Sequence, residues 1–213
     1  MSTTFTVGVS GVPDYWHQAK AHLRSVDKRL GRLIDIYEEP PLSSKGKLFE
    51  TCVHSIVGQQ ISASAAQAVW QRFVQLVGEV TPQAVLAHDE DALRNIGLSR
   101  RKAEYVLGLA GNRALLEQTP WATLDDATVI KTLTSVRGVG PWTAQMVLMF
   151  CLLRPDILPL GDIGLIRGVE ALYADGGRLS VDEVEQIARP WQPYRTVATW
   201  FIWRSVDGEP VEY

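Results

Sequence analysis

The chain has 213 residues, 46% of them hydrophobic and 21% charged, with a net charge of −3. That composition specifies a core-burying chain of one compact domain or two small lobes, and it excludes a disordered segment and a generally basic nucleic-acid binder. The longest apolar run, 146–153, is far too short for a bilayer span, residues 1–10 lack the basic start and apolar stretch of a secretory leader, and two cysteines cannot build a disulfide framework, a four-thiolate zinc site or a four-cysteine iron–sulfur cluster.

The pattern is helical almost throughout. Period-two alternation occurs only over 3–9, where it predicts a short strand or arm. Helices are predicted over 13–23 and 26–37, then a loop over 38–47 that holds Pro40, Pro41, Ser43, Ser44 and Gly46. An apolar helix over 49–60 meets a small polar interruption, Gly58-Gln59-Gln60-Ile61-Ser62, before an Ala-rich helix over 63–76 that Gly78 ends. Thr81-Pro82 starts a short helix, threonine as cap and proline at the first position. Further helices are predicted over 89–94, 99–116, 124–133, 141–153, 162–173, 181–188 and 195–206. The 141–153 segment is apolar on nearly all sides and is expected to be the buried central helix. A faint internal echo links Leu93-Arg94-Asn95-Ile96-Gly97-Leu98 with Val136-Arg137-Gly138-Val139-Gly140, each a helix end, a glycine turn and a new helix.

The second of these segments carries the most chemistry. Gly138 and Gly140 permit backbone conformations that a side chain forbids, and Val139 between them is placed to pin the turn in the core. Pro141 suits the first position of the following helix. The first amides of that helix lack internal partners and lie at the positive end of its dipole, which is a phosphate site that needs no lysine. Gly-x-Gly alone is an ordinary tight turn; the apolar-x-Gly-Val-Gly frame between two helices is what makes a phosphate-binding hairpin of Gly138, Val139, Gly140 and Thr143. This reconciles an acidic chain with DNA, since such contacts position a duplex without reading it.

Ser135–Ala144 followed by Arg154-Pro155-Asp156, Pro159 and Gly161-Asp162 resembles the helix-hairpin-helix Gly/Pro/Asp superfamily of DNA glycosylases. Within it, the Gly-Pro-Trp-Thr-Ala and Arg-Pro-Asp…Pro-x-Gly-Asp combination is most similar to the alkylation-repair branch of 3-methyladenine DNA glycosylase II. The resemblance covers roughly 49–203. It implies an all-α fold of two helical lobes around a DNA-binding cleft, with residues 1–46 as an N-terminal arm and helices packing on a glycosylase domain at 47–213. Asp162 by position is a helix N-cap; the resemblance makes it the catalytic carboxylate as well.

The same resemblance assigns Trp142 and Trp203 to the base pocket, where an electron-rich face attracts a cationic base. It assigns Gln60 and Ile61 to the wedge that fills the gap left by a flipped base; glutamine departs from the leucine of some relatives. Main-chain carbonyls of Thr134, Val136 and Gly138 are implied as ligands of a sodium or potassium ion, and no cofactor is implied for the chemistry. Bifunctional members carry a lysine two positions after the second hairpin glycine, where this chain has Trp142, so a monofunctional enzyme without lyase activity is expected. The reading is a glycosylase that acts as a monomer on double-stranded DNA containing alkylated bases of the 3-methyladenine type, in base excision repair, in the cytoplasm or at a nucleoid. Two alternatives stand beside it: a related glycosylase for another lesion class, and a non-catalytic helix-hairpin-helix DNA-binding module. Arg94, Arg100, Arg101 and Lys102 form a basic cluster that reads as a solvated surface or a second phosphate contact.

Overall fold

In a computed structural model, residues 8, 10–37 and 39–207 are described. The strand or arm expected over 3–9 falls almost wholly outside them. The described residues form thirteen α-helices and two two-residue strands, β1 (Ser10–Gly11) and β2 (Ser44–Lys45), which pair as one small sheet. The helices are α1 (Trp16–Val26), α2 (Lys28–Ile36), α3 (Leu48–Gly58), α4 (Ala63–Val77), α5 (Pro82–Leu86), α6 (Glu90–Asn95), α7 (Arg100–Gly111), α8 (Arg113–Gln118), α9 (Asp126–Thr134), α10 (Pro141–Phe150), α11 (Ile163–Tyr173), α12 (Val181–Ala188) and α13 (Arg195–Asp207). None of them is long and apolar enough to cross a membrane.

The caps explain most boundaries. Asp27, Ser62, Thr81, Asp89, Ser99, Asp125 and Ser180 each accept a backbone N–H of the helix they open, and Ser180 with Glu183 completes a capping box. The single helix expected over 99–116 is two. Asn112 leaves helical geometry (φ −86°, ψ 38°), its amide donates back to the Gly108 carbonyl at 2.7 Å, and α8 starts anew. Glycine at 108 and 111 weakens the helix just before the break. The central apolar helix stops at Phe150 instead of 153, where Leu153 adopts a left-handed φ of 51°.

The chain separates into two compact units. The described residues of the first are 8, 10 and 44–152; those of the second are 11–37, 39–43 and 153–207. This division differs from a boundary at residue 46, because α1 and α2 pack with the C-terminal helices. Trp16 stacks on Phe201 at 5.5 Å, and the Tyr15 hydroxyl donates to the Leu153 carbonyl at 2.7 Å.

In the first unit α3 and α10 pack together at the centre, with α4 and α7 also on α3 and α9 on α10. Every residue of α3 from Leu48 to Val57 is buried, and so is 146–150 of α10. Each such apolar side chain contributes roughly 1.5–3 kcal/mol. Cys52 and Cys151 lie in this core as free thiols; burial pushes both upward, Cys151 to about 12.

The second unit is tied by one polar knot. Asp27 caps α2 through Oδ1, while Oδ2 accepts the Tyr173 hydroxyl at 2.7 Å and the Trp191 indole N–H at 2.9 Å. Burial pushes this carboxyl up, but the Tyr173, Trp191, Leu30 and Arg29 hydrogen bonds together hold it below the usual range. Gly168 lets α11 meet α13 closely, since a Cβ there would lie 2.3 Å from Ile202 Cγ2.

Candidate functional site

The hairpin of the first unit joins α9 to α10. Val136 and Val139 are 5% and 4% exposed, and the Val139 N–H closes the turn on the Val136 carbonyl at 3.1 Å. Gly138 has φ +93°, and a Cβ there would fall 2.2 Å from Cγ of Tyr105. Glycine is therefore required twice over, for the dihedral and for the ring beneath it. Gly140 opens α10 with no side-chain cap, and Pro141 takes the first position as expected. The first amides of that helix lack partners within it and lie at the positive end of its dipole.

Thr143, expected among the phosphate-binding residues, has a buried side chain; its hydroxyl accepts the Gln59 side-chain amide at 3.0 Å. What it presents to an anion is its backbone. The same Gln59 amide donates to the Gly138 carbonyl at 3.2 Å. Of the three carbonyls considered for a monovalent ion, Val136 and Gly138 thus each accept one hydrogen bond, and a carbonyl oxygen keeps a second lone pair. The donor set fits a hard monovalent cation to that extent.

The expected wedge lies in the turn between α3 and α4. Gln60 is exposed and holds a left-handed backbone, φ 59°, and Ile61 is 42% exposed. Ser62 closes the turn by capping α4. Neither apolar burial nor a partner from the core accounts for an isoleucine at this tip.

The basic cluster is mostly spent. Arg94 pairs with Asp91, Arg100 lies 3.4 and 3.3 Å from Glu90 and Glu104, and Arg137 lies 3.4 Å from Glu104. Lys102 Nζ donates to the Val57 carbonyl at 2.7 Å. Arg101 and Arg137 flank the Tyr105 ring at 5.9 and 5.8 Å. Sequence reasoning missed Tyr105, because its role as the floor of Gly138 depends on a contact 33 residues away.

In the second unit, the loop from Arg154 to Gly161 is clamped to the start of α13. Arg195 makes a bidentate pair with Asp156, Nε at 2.7 Å and Nη2 at 2.9 Å. Thr196 donates to the Arg154 carbonyl and accepts the Ile157 N–H. The loop then delivers Asp162, whose Oδ1 accepts the Leu165 N–H at 2.7 Å and the Trp203 indole N–H at 2.8 Å. The N-cap expectation holds, and the same oxygen takes a second donor from the indole. Trp203 is only 5% exposed, so most of its surface is packed. Gly164 makes room for the pair: a Cβ there would sit 3.1 Å from Asp162 Oδ1 and 3.2 Å from Trp203 Cδ1. The repeated glycine of Gly161-Asp162-Ile163-Gly164 was the available signal for that contact. Trp142, in the first turn of α10, is half-buried, in contrast to Trp16, Trp121, Trp191 and Trp200, which are core.

Residues 53–193 match the HhH-GPD superfamily of base excision DNA repair proteins. The structure of the 3-methyladenine DNA glycosylase of Schizosaccharomyces pombe, solved with abasic DNA, superimposes with a TM-score of 0.82 at 27% identity, covering 89% of this chain and 97% of that one. The crystal structure of a DNA-3-methyladenine glycosidase from Bacillus halodurans gives a TM-score of 0.70 at 36% identity, over 89% of this chain and 88% of that one. The DNA-3-methyladenine glycosylase of Bacillus subtilis is 30% identical over 171 residues, 74% of this chain and 56% of its own length, so the chain spans little more than half of that relative. With the glycine hairpin and the capped aspartate in the family's order along the chain, this protein belongs to the HhH-GPD superfamily of base excision DNA repair proteins.

Proposed function

We propose that the chain is a monofunctional DNA glycosylase that releases alkylated bases of the 3-methyladenine type from double-stranded DNA and leaves an abasic site. The observation that carries this reading is Asp162, a carboxylate held by two donors, Trp203 Nε1 and Leu165 N, at the Gly-Asp position of a family member. The relatives' names supply the lesion class.

The chemistry follows from one fixed carboxylate. As the C1′–N bond breaks, its electron pair leaves with the base, and positive charge develops on the sugar. An alkylated purine is already cationic, so it departs neutral without a general acid. The Asp162 carboxylate stabilises the oxocarbenium-like sugar electrostatically, and as the arriving water's oxygen bonds to C1′ the proton it loses passes to that carboxylate. A carboxylate that need not reorganise is worth most here, because its orientation is set before the charge appears. Trp203 orients Asp162 through its indole N–H, and Trp142, half-buried at the start of α10, offers an electron-rich face of the kind that attracts a cationic base.

The hairpin Gly138–Val139–Gly140 and the first backbone amides of α10 grip phosphate, while Gln60 and Ile61 fill the vacated stack. A sodium or potassium ion on the Thr134, Val136 and Gly138 carbonyls, when bound, adds positive charge beside that phosphate. Trp142 stands where a Schiff-base lysine would be needed, which supports hydrolysis without strand cleavage. We assign the protein to act as a monomer.

The test is base release from alkylated duplex DNA by wild type and Asp162→Asn, with and without hot alkali. The expected result is release by wild type, a loss of at least about a hundredfold in Asp162→Asn with abasic-DNA binding retained, and strand breaks only after alkali. Breaks without alkali would overturn the monofunctional assignment. Equal activity in Asp162→Asn would overturn the role of the carboxylate, and release from other lesions alone would move the substrate class.

A further inference from the structure

The faint sequence echo between 93–98 and 136–140 is a structural repeat. Gly97 (φ +106°) and Gly138 (φ +93°) make the turns, and Leu98 and Val139 plug the core at 5% and 4% exposure. Ser99 and Gly140 are the respective N-caps, and Ala103 and Ala144 are fully buried in the next turn. In this register Lys102 and Thr143 occupy the same position of the two hairpins.

Both of those side chains bond to one place, the last turn of α3 and its C-cap Gln59, from which the turn to α4 departs. Lys102 Nζ donates to the Val57 carbonyl at 2.7 Å, and Thr143 Oγ1 accepts Gln59 Nε2 at 3.0 Å, with the Gly138 carbonyl accepting the same amide at 3.2 Å. Val57 and Gln59 flank Gly58, at the end of α3, and Gln60 with its left-handed backbone follows at once. We infer that the two hairpins act as a matched pair of clamps on the wedge turn, with Gln59 and Lys102 as positioning residues that hold Gln60 and Ile61 in register with the hairpin's grip on phosphate. This inference rests on the proposed function and adds a mechanical link to it: the element that holds the backbone and the element that enters the base stack move as one body. Lys102 is thereby removed from the phosphate-binding cluster, since its ammonium is turned onto the protein's own backbone.

The energetics fit this assignment. Opening a base step costs a few kcal/mol, and a wedge supplies that only if it is already in place when the duplex docks. Two side-chain hydrogen bonds from Gln59 and one charge-assisted bond from Lys102 are of the size needed to stop the turn from yielding.

The experiment uses the full chain and a duplex carrying a tetrahydrofuran abasic analogue with 2-aminopurine at the adjacent step, so that wedge insertion is read by fluorescence and binding by anisotropy, independently of base release. Wild type is expected to raise the fluorescence on binding. Gln59→Met and Lys102→Met are expected to bind within about threefold of wild type while losing at least half of the rise, and Lys102→Arg, which keeps a cationic donor, is expected to recover it. Gln59→Glu, isosteric and polar, removes donation to the Gly138 carbonyl and serves where Gln59→Met does not melt cooperatively. A full rise in the Met variants, or a loss of binding that parallels the loss of rise, would overturn the clamp. Absence of binding by wild type would instead count against the proposed function.

Discussion

The two hairpins of the first unit share a plan and differ at the point that matters for ligands. In the first, Ser99 caps α7 from within, accepting the Lys102 N–H, and Arg72 takes the Ile96 carbonyl at 2.7 Å and packs beneath Gly97. In the second, Gly140 offers α10 no cap, and the turn glycine rests on an aromatic ring. One copy of the repeat satisfies its own helix end with a serine, and the other, lacking that serine, leaves the end uncapped; under the proposed function that is the end that takes phosphate, without an added cation.

The largest effect should come from testing the two turn glycines against each other. Gly138→Ala forces a left-handed alanine and drives its Cβ into Tyr105, and is expected to cost about 3 kcal/mol or more. Gly97→Ala meets the end of the flexible Arg72 side chain at 3.0 Å and Val69 Cγ2 at an ordinary 3.5 Å, and should cost about 1–2 kcal/mol. Urea denaturation of the two variants reads the difference; equal losses would mean that the Tyr105 contact does not distinguish the hairpins.

Next in size is the helix against which both hairpins lean. His54 on α3 is buried with its ring 4.4 Å from that of Trp70. Burial, aided by Lys45, lowers its pKa from 6.5 to about 4. The folded chain therefore binds fewer protons than the unfolded chain in this window. The stability is fully present above pH 6.5 and drains away as the pH falls through about 4, by an amount on the order of 3 kcal/mol. The midpoint of thermal unfolding should drop across that range in wild type and much less in His54→Phe; a parallel drop in both would refute the assignment. Asp27, held below the usual carboxylate range, loses its contribution only at more acid pH.

Smaller effects sharpen the difference between the caps. Ser99→Ala should cost about 1 kcal/mol of stability and leave abasic-DNA affinity unchanged. Gly140→Ser should change stability by a few tenths of a kcal/mol and weaken DNA binding several-fold, because the new hydroxyl competes for the amides that hold phosphate. A gain in affinity from Gly140→Ser would invert the argument. The smallest effect expected is that of Arg137→Ala: its guanidinium lies beside Glu104 and over Tyr105, so the slope of log K against log salt, measured by fluorescence anisotropy, should stay at the wild-type value.

Much of this was legible in the chain. Thr81-Pro82, Gly78 and the Gly138–Pro141 segment act through nearest neighbours, and the structure places a cap, a stop and a hairpin where those residues stand. Asp162 was legible as a cap for the same reason. The grouping of 11–43 with the C-terminal helices was not, because Trp16 with Phe201 and Asp27 with Trp191 join positions more than 160 residues apart by complementary shape, and no local period records that. Gln59, Tyr105 and Gly164 escaped for a related reason: each serves the site by touching another residue of it. Trp203 was singled out for its ring, whereas its indole nitrogen supplies the bond to Asp162.

The left-handed backbone of Gln60 carries a consequence for engineering. A glycine at that position would relax the turn and an asparagine would ease it, so a screen that scored heat resistance alone would discard the glutamine for a gain of about 1 kcal/mol. Thermostabilised descendants of this chain would then accumulate a blunted tip while passing every test of folding. Under the proposed wedge role, selection for robustness and selection for lesion search would pull position 60 in opposite directions.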